Sequence, residues 1–474
     1  MKRFGVGLAM AMLCLGVAVL ASGQVSRVHL GWSRNDVYTT MTVVWHAPVL
    51  EDQYVVYDLQ SEEDVSDYEW KALGSGAVVR PTTGTNGQTI STTALPGYSY
   101  RVELVGLEPG TTYFFRVVDA SGTATREWTL RTIALDQAIR FAFAGDSQRP
   151  YETPEGPGGQ LLGNPTAPAN WPFMRDFLTQ KAAGESPDFF LALGDLVARG
   201  NNPEHWENWL DAWQANAVSP DGRMIPIVTV VGNHDLGGYP NIDSSYEWLL
   251  GQFAMPQPIP GLPCYALDFP ELHLVVLAAT AGHTSGTWAA ATAEANAQLD
   301  WLEDDLAAAP DARWRLVAFH YNYLGCYCAC TGYPSDVYTK AWSGALQDGG
   351  ADMVFMGHTH NYTRSFPVTV DVDATCGPLG LRFSLQNDSE NGITYITAGI
   401  WGGPTNAIVR GTSCDLWPWI AAAAGHPAMG LVELDGTALR CTVDDTSYGA
   451  PLDSFTLPCV LDTFGPAPYT ETVR

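Results

Sequence analysis

The chain has 474 residues, and its 51 Asp and Glu against 24 Lys and Arg give a formal charge of −27. That length supports two to four domains of about 100–200 residues, and so acidic a body, with no basic run, excludes a nucleic-acid binder that works through a basic face. Charged residues at only 16%, with 47 Gly, 31 Pro and 11% aromatics, exclude coiled coil and general disorder and point to a turn-rich globular protein.

The chain opens Met1-Lys2-Arg3, runs through an apolar stretch from Phe4 to Leu20 and continues Ala21-Ser22-Gly23. A basic start, a short apolar core and small residues after it predict a secretory signal over 1–23, cleaved near Gly23. A retained anchor is the alternative. Cleavage implies a secreted or periplasmic protein with no membrane attachment. Cys14 falls in that leader, which leaves eight Cys. An even count in an exported protein reads as disulfides. Cys441–Cys459 is the one local pairing expected, and the Cys326-Tyr327-Cys328-Ala329-Cys330 run reads as disulfides to distant partners.

From 24 to 133 short alternating runs predominate, such as Thr40–Trp45, Tyr100–Leu104 and Thr112–Val118, punctuated by Pro109-Gly110 and Ser121-Gly122. About seven such strands predict a β-sandwich of immunoglobulin or fibronectin III kind. It offers no cluster at ligand spacing, so its expected role is support. From 138 to 460 the pattern changes to buried strands: Arg140–Ala144, Phe189–Leu193, Ile225–Val231, Leu272–Leu277, Arg315–Phe319, Met353–Met356 and Thr394–Thr397. Amphipathic stretches at Trp171–Lys181, His205–Trp213 and Ala289–Leu306 lie between several of them. Alternating strand and helix predicts an α/β layered domain. A tail occupies 461–474.

Five of these strands end alike: apolar residues stop and metal-ligand types follow at once. The groups are Gly145-Asp146-Ser147-Gln148, Gly194-Asp195, Gly232-Asn233-His234-Asp235, His320 and Gly357-His358-Thr359-His360. Ligands at the carboxyl ends of adjacent strands converge in an open α/β sheet, and a preceding Gly lets the backbone turn sharply and approach closely. Taken together and in order, the five predict metal binding. Two ions ~3.5–4 Å apart clamp a phosphate ester and activate water. A shared carboxylate, imidazoles and an amide oxygen suit Zn, Mn or Fe, and no thiolate is required.

These blocks resemble those of the calcineurin-like metallophosphoesterase superfamily over about residues 139–460. The extended Gly357-His358-Thr359-His360-Asn361-Tyr362-Thr363-Arg364 is similar to the purple acid phosphatase form. Val28-His29-Leu30-Gly31-Trp32 and Met41-Thr42-Val43-Val44-Trp45 resemble the fibronectin III-like domain that precedes it. The resemblance implies an all-β N-terminal sandwich followed by an α/β domain layered α-β-β-α. It implies that Asp146 and His360 bind a first metal, that Asp195 bridges, and that Asn233, His320 and His358 bind a second. His234 then sits by the phosphate as electrostatic stabiliser or general acid, oriented by Asp235. Arg149 and Arg364 are candidates to orient phosphate oxygens.

Two departures stand out. Leu196, Val197 and Ala198 follow Asp195, so the Tyr that binds iron(III) in purple enzymes is missing and a purple colour is not implied. Gln148 stands where many relatives have a His ligand, and it serves as a ligand, as a partner of coordinated water, or as a strand-end polar residue with no metal contact. The leading reading is a secreted dinuclear-metal phosphoesterase that hydrolyses small phosphate monoesters by in-line attack of a metal-bound hydroxide. Its cofactors are two divalent or trivalent ions, Fe, Zn or Mn. The rivals are a phosphodiesterase acting on nucleotide or phospholipid-headgroup substrates, and a non-catalytic metal-containing binding protein with a degenerate site.

Overall fold

The computed structural model describes residues 25–77, 98–148, 155–156, 160–161, 187–198, 200, 203–219, 222–236, 246–280, 288–309, 312–321, 335–373, 382–399, 401, 419–446, 450–458 and 470–471. The expected signal segment, Arg149, the Trp171–Lys181 helix and the Cys326–Cys330 run lie outside them.

The alternating strands at the N-terminal end form two four-stranded antiparallel sheets. One holds Ser26–Gly31, Thr40–Ala47, Tyr98–Val105 and Ser75–Ala77; the other holds Trp70–Leu73, Tyr54–Asp58, Thr112–Val118 and Trp128–Arg131. Their shared core includes Trp45, Val55, Tyr100, Phe115 and Leu130. The Trp45 and Tyr100 rings stack at 5.4 Å, and the buried indole donates to Gln53 Oε1 at 2.7 Å, so aromatic area is gained without an orphaned N–H. This domain docks along the next one. Val28 N donates to Gln214 Oε1 at 2.7 Å, and an Arg101 guanidinium nitrogen donates to the carbonyls of Leu250 and Gly251 at 2.7 and 3.1 Å.

The second domain is two facing mixed sheets. One runs in the order Ile227–Thr229, Phe189–Ala192, Ile139–Ala144, Ala428–Leu434, Ala438–Asp445, Pro451–Pro458 and Thr470–Glu471. The other runs Tyr265–Phe269, Leu272–Val276, Trp314–Ala318, Met353–Met356, Thr394–Ala398, Tyr362–Ser365 and Ile420–Ala424. Strand parity explains their near-continuous apolar runs. Leu274, Leu316 and Phe355 turn inward, where Phe355 meets Phe141 and Phe143 of the opposite sheet. Val275, Val317 and Val354 turn outward, under the Trp288–Ala308 and Ser335–Asp348 helices. Burying both faces stabilises each such side chain by roughly 1.5–3 kcal/mol.

The same parity puts His273 on the helix-facing side. Its Nδ1 lies 2.7 Å from Asp268 Oδ1 and its Nε2 3.0 Å from Asp305 Oδ2. Burial opposes a charge there, but the two carboxylates win and push His273 up to about 9. Asp268 in turn exchanges two hydrogen bonds with Asn35 of the N-terminal domain, at 2.6 and 2.7 Å.

The expected Cys441–Cys459 disulfide is corrected. Cys441 is a free, fully buried thiol, as is Cys264. The hairpin register sets Phe455 opposite Cys441 and pairs Pro458 with Ala438, three positions along. Cys459 itself lies outside the described residues.

Candidate metal centre

The five strands that end in ligand types are Ile139–Ala144, Phe189–Ala192, Ile227–Thr229, Trp314–Ala318 and Met353–Met356. Within each sheet they run parallel, so the loops that follow them meet at one edge. The turn out of each strand is abrupt. Asp146, Asp195 and His358 have φ of 53°, 52° and 66°, a left-handed conformation that non-glycine residues adopt rarely. Three of the expected ligands therefore hold backbone strain of order 1–3 kcal/mol each, a pattern that clusters at functional sites. The strain is held by bonds between loops: Asp146 N to Gly194 O at 2.9 Å, Gln148 N to Asp195 O at 3.2 Å and Gly357 N to His320 O at 3.0 Å. The approach is close enough to require Gly232, where a Cβ would lie 2.1 Å from the nitrogen of Asp195.

Asp195, His320 and His358 place one ligand atom each within 4.8 Å of one another. His320 Nε2 lies 3.2 Å from Asp195 Oδ2, and His360 Nε2 lies 3.2 Å from Asp146 Oδ1. Asn233 Oδ1 is 3.0 Å from His358 Nδ1. Asp195 thus stands between two groups, Asp146 with His360 and Asn233 with His320 and His358. The backbone fixes the ligands from behind: His320 Nδ1 bonds Leu193 O at 2.7 Å, and Asp146 Oδ2 accepts from His358 N at 2.9 Å.

This donor set fits metal ions. Asp146 Oδ1 and His320 Nε2 are buried atoms with no hydrogen bond, although each lies 3.2 Å from a neighbouring ligand atom, and an unsatisfied buried polar atom needs a partner. Carboxylate, imidazole and amide oxygen are the ligands of Zn, Mn or Fe. The carboxylates and imidazoles hold one another's charge, and an imidazole that binds a cation gives up its proton. Burial works against the charge of Asp195, yet His320, His234 and His358 hold it below the ordinary carboxylate range. Burial raises Asp146, with His360 and His320 opposing. Burial also disfavours charge on His320, but Asp195 lifts it to about 9.

Gln148 reaches the same point. Its amide nitrogen donates to Asp195 Oδ2 at 3.0 Å and lies 3.5 Å from His360 Nε2. It is thus a hydrogen-bond partner of the central carboxylate, and turning the amide over would offer its oxygen instead. His234 lies beside the cluster, half-buried, with Nδ1 2.9 Å from Ala198 O and its peptide N–H on Asp195 Oδ1 at 2.7 Å.

Two expectations are corrected. Asp235 does not orient the His234 ring. Its buried carboxylate accepts peptide N–H groups from Asp195 (2.9 Å), Leu196 (2.8 Å), Val197 (3.3 Å) and Gly232 (2.9 Å), tying two ligand loops together. Ala198 O orients His234 instead. Arg364 does not reach a phosphate. It is fully buried, with Nε 2.7 Å and a terminal nitrogen 3.3 Å from the Asp453 carboxylate, and its guanidinium lies 4.3 Å over the Phe455 ring. Tyr362 donates to the same carboxylate at 2.6 Å. A second support escaped the sequence altogether. Ser147 Oγ donates to Leu196 O and accepts from Trp209 Nε1, both at 2.9 Å, which brings the Pro203–Asn216 helix to the ligand loops. Only the position of Ser147 between two ligand types hinted at it.

Two facing mixed sheets with carboxylate, imidazole and amide ligands gathered at one edge define a metallophosphoesterase-type α/β domain. The comparisons specify it further. Residues 139–362 match the calcineurin-like phosphoesterase family, and residues 25–132 match the purple acid phosphatase N-terminal domain. The chain therefore carries a calcineurin-like phosphoesterase domain behind a purple acid phosphatase N-terminal domain. Purple acid phosphatase 15 of Arabidopsis thaliana is 24% identical over 298 residues, 60% of this chain and 52% of that protein. Purple acid phosphatase 23 of the same plant is 23% identical over 300 residues, 60% of this chain and 61% of that protein. The chain thus spans only half to three-fifths of the length of these relatives. A purple acid phosphatase from yellow lupin seeds shares the fold with a TM-score of 0.67 at 16% identity, covering 92% of this chain and 74% of that one. PhoD does so with 0.58 at 12%, covering 91% and 90%.

Proposed function

We propose that this chain is an exported metal-dependent phosphoesterase that hydrolyses small phosphate monoesters at a two-ion centre. The observation that carries this is the meeting of Asp146, Asp195, Asn233, His320, His358 and His360, where the buried Asp146 Oδ1 and His320 Nε2 make no hydrogen bond. Asp146 and His360 would hold one ion, Asn233, His320 and His358 the other, and Asp195 both. Gln148 is assigned to the first group as a ligand or as the partner that fixes Asp195. When bound, the ions supply Lewis acidity toward the phosphate oxygens and the attacking water.

The protein's own residues do the rest. Asp235 keeps the Asp195 loop and the Asn233 loop in register through its four peptide donors. Asp195 can then serve both groups without rearrangement, which is preorganisation rather than induced assembly. His234 is held by Ala198 O through Nδ1, so Nε2 is the atom that carries the second proton of a cationic ring. A histidine so placed can stabilise phosphate charge or protonate the departing alcohol oxygen. Arg149 is assigned to phosphate oxygens on sequence position alone.

Hydrolysis of an aryl phosphate tests the reading. Asp195→Ala should abolish turnover, and His234→Ala should lower it by about 10²–10⁴-fold. Unchanged turnover in Asp195→Ala contradicts the assignment. Faster cleavage of the matched diester would place the enzyme among phosphodiesterases.

A further inference from the structure

His358 must present Nδ1 beside Asn233 from a strained backbone position, at φ 66°. An imidazole on such a loop turns about two side-chain bonds, so the ligand geometry depends on what its ring rests against. Tyr321, the residue after His320, supplies that surface. Its ring centroid lies 4.4 Å from that of His358, with the planes tilted by 57°. It also stacks on Tyr338, at 6.0 Å and 15°. Tyr338 packs on Trp342 at 5.0 Å, within the Ser335–Asp348 helix.

The backing ring is itself anchored. The Tyr338 hydroxyl donates to Glu294, on the Trp288–Ala308 helix. Glu294 also accepts from the Tyr246 hydroxyl and from the N–H and Oγ1 of Thr280, the latter two at 2.9 Å each. Tyr321 and Tyr338 are buried, and so is Glu294. A buried carboxylate with four donors is satisfied and stiff, whereas one with fewer would be costly. Helix, carboxylate, Tyr338, Tyr321 and His358 thus form one continuous stack leading to the centre.

We infer that Tyr321 is a positioning residue for the second ion. Its ring holds the His358 imidazole with Nδ1 toward Asn233, and Tyr338, fixed by Glu294, backs it. The role assigned to Tyr321 is exerted through the His358 ring and not through its own hydroxyl. The inference rests on reading the cluster as a metal centre, and it adds the residue that sets the affinity of one ion over the other.

The test counts metal rather than turnover. Metal-stripped wild type, Tyr321→Phe and Tyr321→Leu would be reconstituted with Co(II) alone and titrated with a chelator, reading ions per chain by elemental mass spectrometry and the Co(II) absorption band. Wild type should hold two ions. Tyr321→Phe keeps the ring and should match it within about twofold. Tyr321→Leu keeps apolar volume without the flat face. It should release one ion at least about tenfold more readily, with an altered band, while the other ion stays within about threefold. Should Tyr321→Leu not fold, Glu294→Gln, which loosens the backing ring, should shift the same ion in the same direction. Both ions bound as in wild type, or both weakened alike, overturns the inference and makes Tyr321 ordinary packing. A wild type that binds no Co(II) overturns the metal reading itself, a separate and distinguishable result.

Discussion

His273 gives the most quantitative prediction, because both its ring nitrogens face carboxylates in a buried layer. Raised to about 9 from an ordinary 6.5, it is charged in the folded protein where it would be neutral unfolded. The sign follows from linkage: its contribution is complete below pH 6.5 and is lost as pH rises through 9. That difference, at 1.36 kcal/mol per pH unit, sets a ceiling of about 3 kcal/mol. Asp268 is 52% exposed, so solvent screens part of it, and a realistic contribution is roughly 1–3 kcal/mol. The assay is urea unfolding of wild type and His273→Gln at half-unit steps from pH 6 to 9.5. The wild-type advantage should be level near pH 6 and shrink steadily toward pH 9. Because Asp268 also grips Asn35, unfolding of the N-terminal domain should become easier over the same range. An advantage that is flat across the whole range refutes the charged sandwich.

Three further outcomes are expected. Arg364→Met strands the Asp453 carboxylate in a buried site and should destabilise the fold by about 3–5 kcal/mol, while the KM of the folded fraction stays the same; a raised KM with unchanged melting would restore Arg364 to the phosphate site. Asp235→Asn turns an acceptor into a donor against peptide N–H groups, so it should lose about 2–4 kcal/mol of stability and bind less metal by elemental analysis, whereas a mere helper of His234 would leave metal content intact. The −27 charge repels anionic substrates at long range, so apparent KM for a small phosphate ester should fall between low and moderate salt; a steep rise instead would indicate steering by local Arg.

Much of the centre was legible because ligand chemistry and strand endings coincide. Asp146, Asp195, Asn233, His320 and His358 each stand at the end of an apolar run, directly or after one Gly, with His360 two residues further on, and ligands so placed gather at the carboxyl edge of the sheet. Direction was less legible. Asp235 adjoins His234, but its carboxylate turns back onto the loop it leaves, and adjacency carries no such information. Arg364 lies close to two ligands, yet its partner is Asp453, 89 positions away on a strand that no local pattern connects to it. Tyr362 and Arg364 share parity on one strand, and a polar pair on a buried face was the available hint. His273 offered the same signal, sitting in register with Val275 under the helices. The left-handed backbone at Asp146, Asp195 and His358 was not legible, because Asp and His adopt it more often than most non-glycine residues but still only occasionally.

The most direct measurement is anomalous scattering from crystals of the metal-loaded protein, collected at the absorption edges of Fe, Zn and Mn. Two peaks are expected, one beside Asp146 and His360 and one among Asn233, His320 and His358, with Asp195 touching both. One peak, none, or an Asp195 that contacts a single ion contradicts the two-ion centre.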